Sequence, residues 1–262
     1  GARDTITQTD FENGIKYVTA SKTDFENVYN FSHDQTVQIR AYLYDDAGNF
    51  TIGDISDSDI LIDIIANAPN SASIISTNQF QNLAKTGDTI IFSMQFNEDV
   101  NTPIVLIDGN NSDDVQDLGG EEFEASYDLN GNETNGILSS LISVTDLYGN
   151  QNEYSGTTDG TNVRFDNAIP ILDQVNVFSN NIWNQSWAKI GDTIQFNIYA
   201  SEDLLNISLL VENNNALITI LDLDQYNFDY TLSNINSDGL VQFEITFSDS
   251  AGNLGDLVTN TT

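Results

Sequence analysis

The sequence predicts an all-β fold of tandem β-sandwich domains, and two observations support this fold class. The first is an internal repeat of about 100 residues, which is the size of one sandwich domain. The segment Ala84–Phe92 (AKTGDTIIF) recurs as Ala188–Phe196 (AKIGDTIQF). The second is the alternation of apolar and polar residues along runs such as Thr36–Tyr44 and Val241–Phe247, which is typical of half-buried strands.

A short turn motif recurs at the same spacing. Its three copies are Asp45–Asn49 (DDAGN), Asp146–Asn150 (DLYGN) and Asp249–Asn253 (DSAGN). Because Asn and Gly readily adopt positive φ, each copy is expected to connect two strands. The repeats predict three domains: a partial domain at 1–66 that lacks its first strands, a domain at 67–166, and a domain at 167–262 whose last strand is cut short.

The last repeat shows the predicted strand order most clearly. In immunoglobulin lettering, we predict the linker and strand A at 167–179, B at 192–200, C at 206–211, E at 226–232, F at 240–248 and G from 254 onward. No amphipathic helix is expected anywhere in the chain. The repeat length and the strand pattern together predict an immunoglobulin-like sandwich for each repeat.

These motifs resemble those of tandem bacterial-type immunoglobulin-like domains in large prokaryotic surface proteins. The resemblance rests on Ala-Lys-x-Gly-Asp-Thr before strand B, Ser-Glu-Asp at 201–203 and the Asp-x-Ala-Gly-Asn turn after strand F. It covers nearly the whole chain and is best at 171–262. In the middle repeat Asn97 replaces the serine, and Leu147-Tyr148 replaces the small residues of the turn. Surface-layer proteins and adhesins contain such domains, so the resemblance implies an extracellular, cell-surface location.

The chain is strongly acidic, with 40 Asp and Glu residues against 7 Lys and Arg and a formal net charge of −33. Such a surface repels nucleic-acid backbones and anionic membranes, so we expect neither as a partner. There is also no apolar run of 18 or more residues, so no direct membrane insertion is expected in this segment. We expect salt or bound cations to screen the repulsion between acidic side chains.

Some of these acids are expected to converge. In an immunoglobulin-like sandwich, the N-terminal linker, the B–C loop and the F–G loop share one end, and Ca²⁺ binds six to eight oxygen ligands. The candidate Ca²⁺ ligands are Asp166, Asn167, Glu202, Asp203 and Asp249 in the last repeat, and Asp63, Asn67, Glu98, Asp99 and Asp146 in the middle repeat. The alternative is that the turn aspartates only accept backbone hydrogen bonds and that the other acids are solvated.

Catalysis has little support in the sequence, so we expect no enzyme. The chain has no cysteine and one histidine, His33, and it lacks a Gly-x-Ser-x-Gly elbow, a Walker loop and a His-Glu-x-x-His stretch. Binding of a glycan is a possible role for Trp183, which we expect to be exposed. Trp187 is expected to fill a core or interface position, because it aligns with Leu83.

Seven Asn-x-Ser/Thr sequons are candidates for glycosylation, although this number is what chance predicts. They begin at Asn30, Asn49, Asn110, Asn132, Asn184, Asn206 and Asn260.

Two functions remain open from the sequence. The first is a structural segment of a surface layer or filament, rigidified by Ca²⁺ between domains, with copies of itself or other surface subunits as partners. The second is the stalk of a calcium-dependent adhesin.

Overall fold

The computed structural model describes residues 4–21, 23–24, 27, 32–222 and 224–259. Within it, the chain forms two compact units. The first unit comprises Gly1–Ala68, Glu98–Asn101 and Val144–Asn152, and the second comprises Pro69–Asn97, Thr102–Ser143 and Glu153–Thr262. In the described part of the chain, no helix is both long enough and apolar enough to cross a membrane.

The first unit contains a short helix, α1 (Gln8–Asn13), which the sequence did not predict. The Thr7 backbone N–H donates to Asp10 Oδ2 over 2.8 Å, and the Asp10 N–H donates back to Thr7 Oγ1 over 3.2 Å. This reciprocal cap satisfies backbone donors that a helix N-terminus leaves unpaired. Only amphipathic helices were excluded by the sequence, and this six-residue element was missed because a cap and not an apolar period starts it.

Four strands of the first unit form two antiparallel pairs. They are β1 (Gln35–Val37), β2 (Arg40–Tyr44), β3 (Phe50–Ile55) and β4 (Ile60–Ile62). β1 pairs with β4, and β2 pairs with β3 in a hairpin whose tip is the first copy of the turn motif. Both faces of the β2–β3 hairpin are exposed, including those that carry Tyr44 and Phe50.

The middle repeat supplies eleven strands. They are β5 (Ser71–Ser76), β6 (Leu83–Ala84), β7 (Thr89–Gln95), β8 (Ile104–Ile107), β9 (Asn110–Asn111), β10 (Asp114–Gly119), β11 (Glu122–Asp128), β12 (Gly136–Ile137), β13 (Ser140–Thr145), β14 (Gln151–Ser155) and β15 (Arg164–Phe165). Two four-stranded sheets have the orders β10-β11-β7-β5 and β14-β13-β8-β9. A small sheet, β12-β15-β6, contains a parallel pair between β15 and β6.

The last repeat supplies seven strands. They are β16 (Leu172–Ser179), β17 (Thr193–Ala200), β18 (Leu204–Val211), β19 (Asn214–Asn215), β20 (Leu217–Asp222), β21 (Gln225–Thr231) and β22 (Phe243–Asp249). One sheet has the order β16-β17-β21-β20 and the other has the order β19-β18-β22. After β22 the chain contacts this strand through isolated bridges at Leu254 and Val258.

These strand orders are those of the immunoglobulin fold. In both sandwiches the first sheet has the order A-B-E-D, and the second pairs strand C with strand F. The predicted all-β fold of tandem immunoglobulin-like sandwiches is confirmed, and so are strands A, B, C, E and F of the last repeat. Strand D (β20) was missed because all its residues are exposed and show no alternating burial. The domain boundaries at 66/67 and 166/167 stay predictions.

The two sheets of the last sandwich enclose one hydrophobic core. Strand β17 buries Ile194, Phe196 and Ile198 on a single face, as its alternating sequence predicts. From the opposite sheet, Phe243 meets Phe196 edge to face, with ring centroids 5.2 Å apart. Such aromatic pairs add stability beyond the burial of their area. The core therefore fixes the ends of strands B and F, from which the loops of the candidate site project.

Replacing Phe196 by Ala tests this core. Phe196 is fully buried, so we expect Phe196→Ala to lower the free energy of unfolding by about 3–5 kcal/mol through lost burial and a residual cavity. The matched control is Leu217→Ala, because Leu217 is 78% exposed, and it should change stability by less than about 0.5 kcal/mol. Urea unfolding followed by circular dichroism measures both. Equal effects of the two substitutions would contradict the assigned core.

Candidate cation sites

The turn after strand F has the same internal structure in the middle and last sandwiches. In the last one, Asp249 Oδ1 accepts the Asn253 N–H over 2.8 Å, and Asp249 Oδ2 accepts the Asn253 side-chain amide over 2.8 Å. Gly252 has φ of 87°, a left-handed conformation that strongly favours glycine at this position. Asp146 and Asn150 make the same pair of bonds. The turn sequence thus fixes a nearly buried carboxylate at the end of each strand F.

Two acidic clusters occur among the residues that the structure describes and are numbered in chain order. The second acidic cluster, in the last repeat, consists of Asp166, Glu202 and Asp249. One carboxylate oxygen from each lies within 4.8 Å of the others. Asp166 comes from the linker, Glu202 from the B–C loop and Asp249 from the F–G turn. The Asn253 side chain also donates to the Asp166 carbonyl oxygen over 2.9 Å, so one amide ties the linker to the turn.

The first acidic cluster consists of Asp63, Glu98 and Asp146, again with one oxygen from each within 4.8 Å of the others. All three lie in the first compact unit. The Asn150 side chain donates to Asp63 Oδ1 over 3.1 Å, as Asn253 binds the linker in the other cluster. Each residue precedes its counterpart in the second cluster by 103 or 104 residues. Two repeats therefore assemble the same three-carboxylate arrangement.

Four other predicted ligands lie outside these clusters. Asp99 and Asp203 are exposed, and each follows a cluster glutamate in the B–C loop. The Asn67 backbone N–H donates to Glu98 Oε1, so its peptide group orients a cluster residue. Asn167 accepts a hydrogen bond from Thr86 Oγ1 over 2.8 Å. The structure thus brings together six of the eight predicted acidic ligands.

Like charges dominate the second cluster. Two unit charges 4.8 Å apart repel each other by roughly 1 kcal/mol at the dielectric constant of water and by roughly 3 kcal/mol at the lower value typical of a protein surface. Burial, and then the charges of Asp249, Asp166 and Asp203, raise the pKa of Glu202. Among the described residues, no Lys, Arg or His forms an ion pair with the second cluster, although Arg164 lines the same cavity. The cluster therefore has an unbalanced negative charge.

Hydrogen bonding governs the buried member of the first cluster. Burial would raise the pKa of Asp146, but hydrogen bonds from the Asn150 side chain and from backbone N–H groups of the turn outweigh it and lower this pKa. Asp146 is therefore held in its ionised form, as a cation ligand must be.

Three residues near the clusters were not predicted as site residues. Asn150 and Asn253 bind both the turn carboxylate and the linker, and their recurrence as the last residue of the turn motif was the available signal. His33 lies beside the first cluster, with Nδ1 3.3 Å from Asp63 Oδ1. No sequence pattern links His33 to Asp63, because the two are 30 residues apart and belong to different strand ends.

Both tryptophans of the last sandwich are exposed. Trp183 is 88% exposed, as predicted, but Trp187 is 73% exposed. Trp187 was expected to fill a core or interface position. Its exposure excludes the core position, because the loop between strands A and B turns the side chain outward, and the interface position stays a prediction.

The glycosylation candidates within the described residues are all exposed, and their modification stays a prediction; they are Asn49, Asn110, Asn132, Asn184 and Asn206. Asn30 and Asn260 lie outside the described residues.

Comparisons with known proteins return weak structural likenesses. No family model matches the chain, and no curated protein matches it. The Ig1-2 module of Drosophila receptor protein tyrosine phosphatase DLAR is 10% identical, covering 72% of this chain and 97% of the module, with a TM-score of 0.25. Rst D1-D2 is 9% identical over 72% of this chain and 97% of its own, with a TM-score of 0.30. Bacteroides ovatus SGBP-B, solved with a mixed-linkage heptasaccharide, is 18% identical over 88% of this chain and 52% of its own, with a TM-score of 0.25.

Removing one charge from the second cluster tests its electrostatics. No hydrogen bond restrains the Glu202 side chain among the contacts that the structure shows, so Glu202→Gln mainly relieves repulsion. In chelator and low salt, we expect the variant to be more stable than the wild type by roughly 1 kcal/mol. The difference should shrink in 1 M NaCl, where the Debye length is roughly 3 Å. Thermal unfolding measures both, with Glu244→Gln on an exposed strand face as the control. A less stable Glu202→Gln variant would contradict the assignment.

Proposed function

We propose that the chain is a non-enzymatic structural segment of an extracellular prokaryotic surface assembly, a surface layer or a filament. In this proposal, Ca²⁺ bound at the two acidic clusters rigidifies the junctions between domains. The observation that carries it is the recurrence of three convergent carboxylates, from the linker, the B–C loop and the F–G turn, in two successive repeats. Acidic side chains that only contact water repel each other, so we do not expect them to converge at equivalent positions in two repeats.

The donor set suits a hard cation. Ca²⁺ takes carboxylate, carbonyl and water oxygens, and Asp166, Glu202 and Asp249 supply three carboxylates from separate segments. Water would complete the coordination, since the cluster lies in a solvent-accessible cavity. The unbalanced negative charge and the raised pKa of Glu202 are what a bound cation would relieve.

The position of the second cluster explains how a cation would stiffen the chain. The Asp166 backbone N–H donates to the Ala84 carbonyl oxygen of the middle sandwich over 2.8 Å. The Asp166 carbonyl oxygen accepts from Asn253 of the last sandwich over 2.9 Å. The linker is therefore held from both sides, and a cation on its carboxylate would join the B–C loop to the same point. Stiff junctions suit a load-bearing or lattice-forming segment.

The same charge supports the extracellular location in this proposal. A surface with a formal net charge of −33 is stable where salt or divalent cations screen it, as they do outside cells in marine or mineral-rich media.

The adhesin stalk is the second candidate function, and the exposure of Trp183 favours it. An exposed indole ring can stack on a sugar. If the chain is an adhesin stalk, we expect the wild type to bind a sugar in a glycan screen. Trp183→Ala should abolish this glycan binding, and the control variant Leu217→Ala should leave it unchanged. If the chain is instead a segment of a surface layer or filament, we expect no glycan binding. Electron microscopy of the native envelope separates a lattice or filament from isolated fibres.

Calcium should stabilise the protein. At a Ca²⁺ concentration about 100 times the dissociation constant, binding adds about 2.7 kcal/mol per site. We therefore expect the melting temperature to rise by several degrees with Ca²⁺ and to fall with chelator. The double variant Glu98→Gln/Glu202→Gln should lose this gain, whereas Glu122→Gln/Glu244→Gln, which removes two charges from exposed strand residues, should keep it. An identical calcium shift in both double variants, or no shift in the wild type, would refute the proposal.

A further inference from the structure

One junction between immunoglobulin-like sandwiches is visible within the second compact unit. The segment between strands A and B of the middle sandwich (residues 77–88, here the middle A–B segment) contacts the F–G turn of the last sandwich. Asn78 donates its side-chain amide to the Ala251 carbonyl oxygen over 2.9 Å. Leu83 lines a cavity together with Ala251, and the Lys85 side chain passes over Gly252. Ala251 is buried, with 3% exposure.

The last sandwich carries the same docking element in its own A–B segment (residues 180–192, the last A–B segment). Asn181 donates its side-chain amide to Asp192 Oδ2 over 2.7 Å, as Asn78 donates to Asp88 Oδ2 over 2.8 Å. The Trp187 carbonyl oxygen accepts from Ser179 Oγ, as the Leu83 carbonyl oxygen accepts from Ser76 Oγ. These contacts place Asn181 and Trp187 at the positions of Asn78 and Leu83.

Lysine recurs at this element too. The Lys189 backbone N–H donates to Asp192 Oδ2 over 3.0 Å, and the Lys85 N–H donates to Asp88 Oδ2 over 2.8 Å. The side chain of Lys189 is 75% exposed. Asn181, Trp187 and Lys189 thus occupy the positions whose counterparts in the middle sandwich lie against a turn, and no described residue of this chain places a turn on them.

The last A–B segment is also unusually apolar for an exposed surface. Ile182, Trp183, Trp187 and Ile190 are all more than 65% exposed. Several exposed apolar side chains in one short segment of an acidic chain indicate a surface that another protein covers, and tryptophan is enriched at the energetic centres of such interfaces.

The chain also contains an uncovered turn of the matching type. Asp45–Asn49 has the sequence DDAGN, and Asp45 accepts the Asn49 backbone N–H over 2.8 Å and the Asn49 side-chain amide over 2.7 Å. Gly48 has φ of 86°, against 87° for Gly252 in the docked turn. All five residues are exposed, including Ala47, the counterpart of the buried Ala251. This turn already has the conformation of a docked one.

We propose that the last A–B segment binds the Asp45–Asn49 turn of a second copy of this chain. The amide of Asn181 donates to the Ala47 carbonyl oxygen, Trp187 packs on Ala47, and the Lys189 stem lies over Gly48. The contact joins two different surfaces, so a pair of copies keeps one free turn, on the first copy, and one free A–B segment, on the second. Such a heterologous contact produces open-ended, head-to-tail assemblies.

Electrostatics sets the conditions for this contact. In the proposed contact, Lys189 approaches a turn that begins with Asp45 and Asp46, which is a favourable local pairing beside its existing ion pair with Asp192, 3.3 Å from Nζ to Oδ1. Two copies nevertheless repel each other over longer distances, because each has a formal net charge of −33. Screening reduces this repulsion, so association should strengthen with salt. The docking turn does not use either acidic cluster, and the contact does not need a cation.

Analytical ultracentrifugation of the full chain, in chelator and 1 M NaCl from micromolar to millimolar concentration, tests the proposal. We expect the mean mass to rise with concentration past that of a dimer. Trp187→Glu and Ala47→Glu should each weaken association at least about tenfold, because each puts a charge into the interface. Leu217→Glu adds the same charge at another exposed site and should leave association unchanged. Circular dichroism checks that each variant is folded.

Mixing the two interface variants gives the decisive result. The Trp187→Glu copy keeps an intact turn and the Ala47→Glu copy keeps an intact A–B segment, so an equimolar mixture should form dimers and nothing larger. A monomeric wild type, association that either variant leaves unchanged, or a mixture that stays monomeric would overturn the proposal. A monomeric wild type that binds a glycan through Trp187 would assign the surface to a sugar instead. Because chelator is present throughout, failure here leaves the calcium proposal untouched.

Discussion

The side-chain amide of the asparagine that ends each F–G turn is the interaction on which the junctions depend. In the last sandwich, Asn253 donates both to the carboxylate of Asp249 and to the backbone of Asp166. It therefore closes the turn and attaches the linker to it with one planar group. Asn150 likewise donates to the carboxylate of Asp146, but its second hydrogen bond goes to the side-chain carboxylate of Asp63 and not to a backbone carbonyl. The amide fixes two acidic residues side by side. The third carboxylate, from the B–C loop, therefore lies next to two other negative charges.

This arrangement has an electrostatic consequence for the whole molecule. A buried turn carboxylate that is fully hydrogen-bonded costs little by itself, but the mutual repulsion of three convergent carboxylates destabilises the folded state. With a cation bound between them, the three carboxylates would stabilise the folded state instead of destabilising it. The same acidic chain keeps copies apart at low salt and allows contacts once the charge is screened. Cation binding and assembly would then both respond to the ionic medium, through different surfaces.

The fold could be predicted from the sequence because its signals are local. The alternation in β17 and the glycine of each turn are set by neighbouring residues, whereas β20 was missed because its two faces are both exposed. The convergence of Asp166, Glu202 and Asp249 could be predicted because the sandwich topology places three loops at one end. The role of Asn253, the proximity of His33 to Asp63, and the outward turn of Trp187 depend on side-chain placement in three dimensions, which no periodicity encodes.

The number of Ca²⁺ ions bound per chain tests directly whether each junction holds one cation between linker, B–C loop and F–G turn. Isothermal titration calorimetry at low ionic strength should give two equivalents for the wild type. It should give one each for Asp166→Asn and Asp63→Asn, since each substitution removes the linker carboxylate of one cluster. No binding heat, or a stoichiometry that both linker substitutions leave unchanged, would contradict the account.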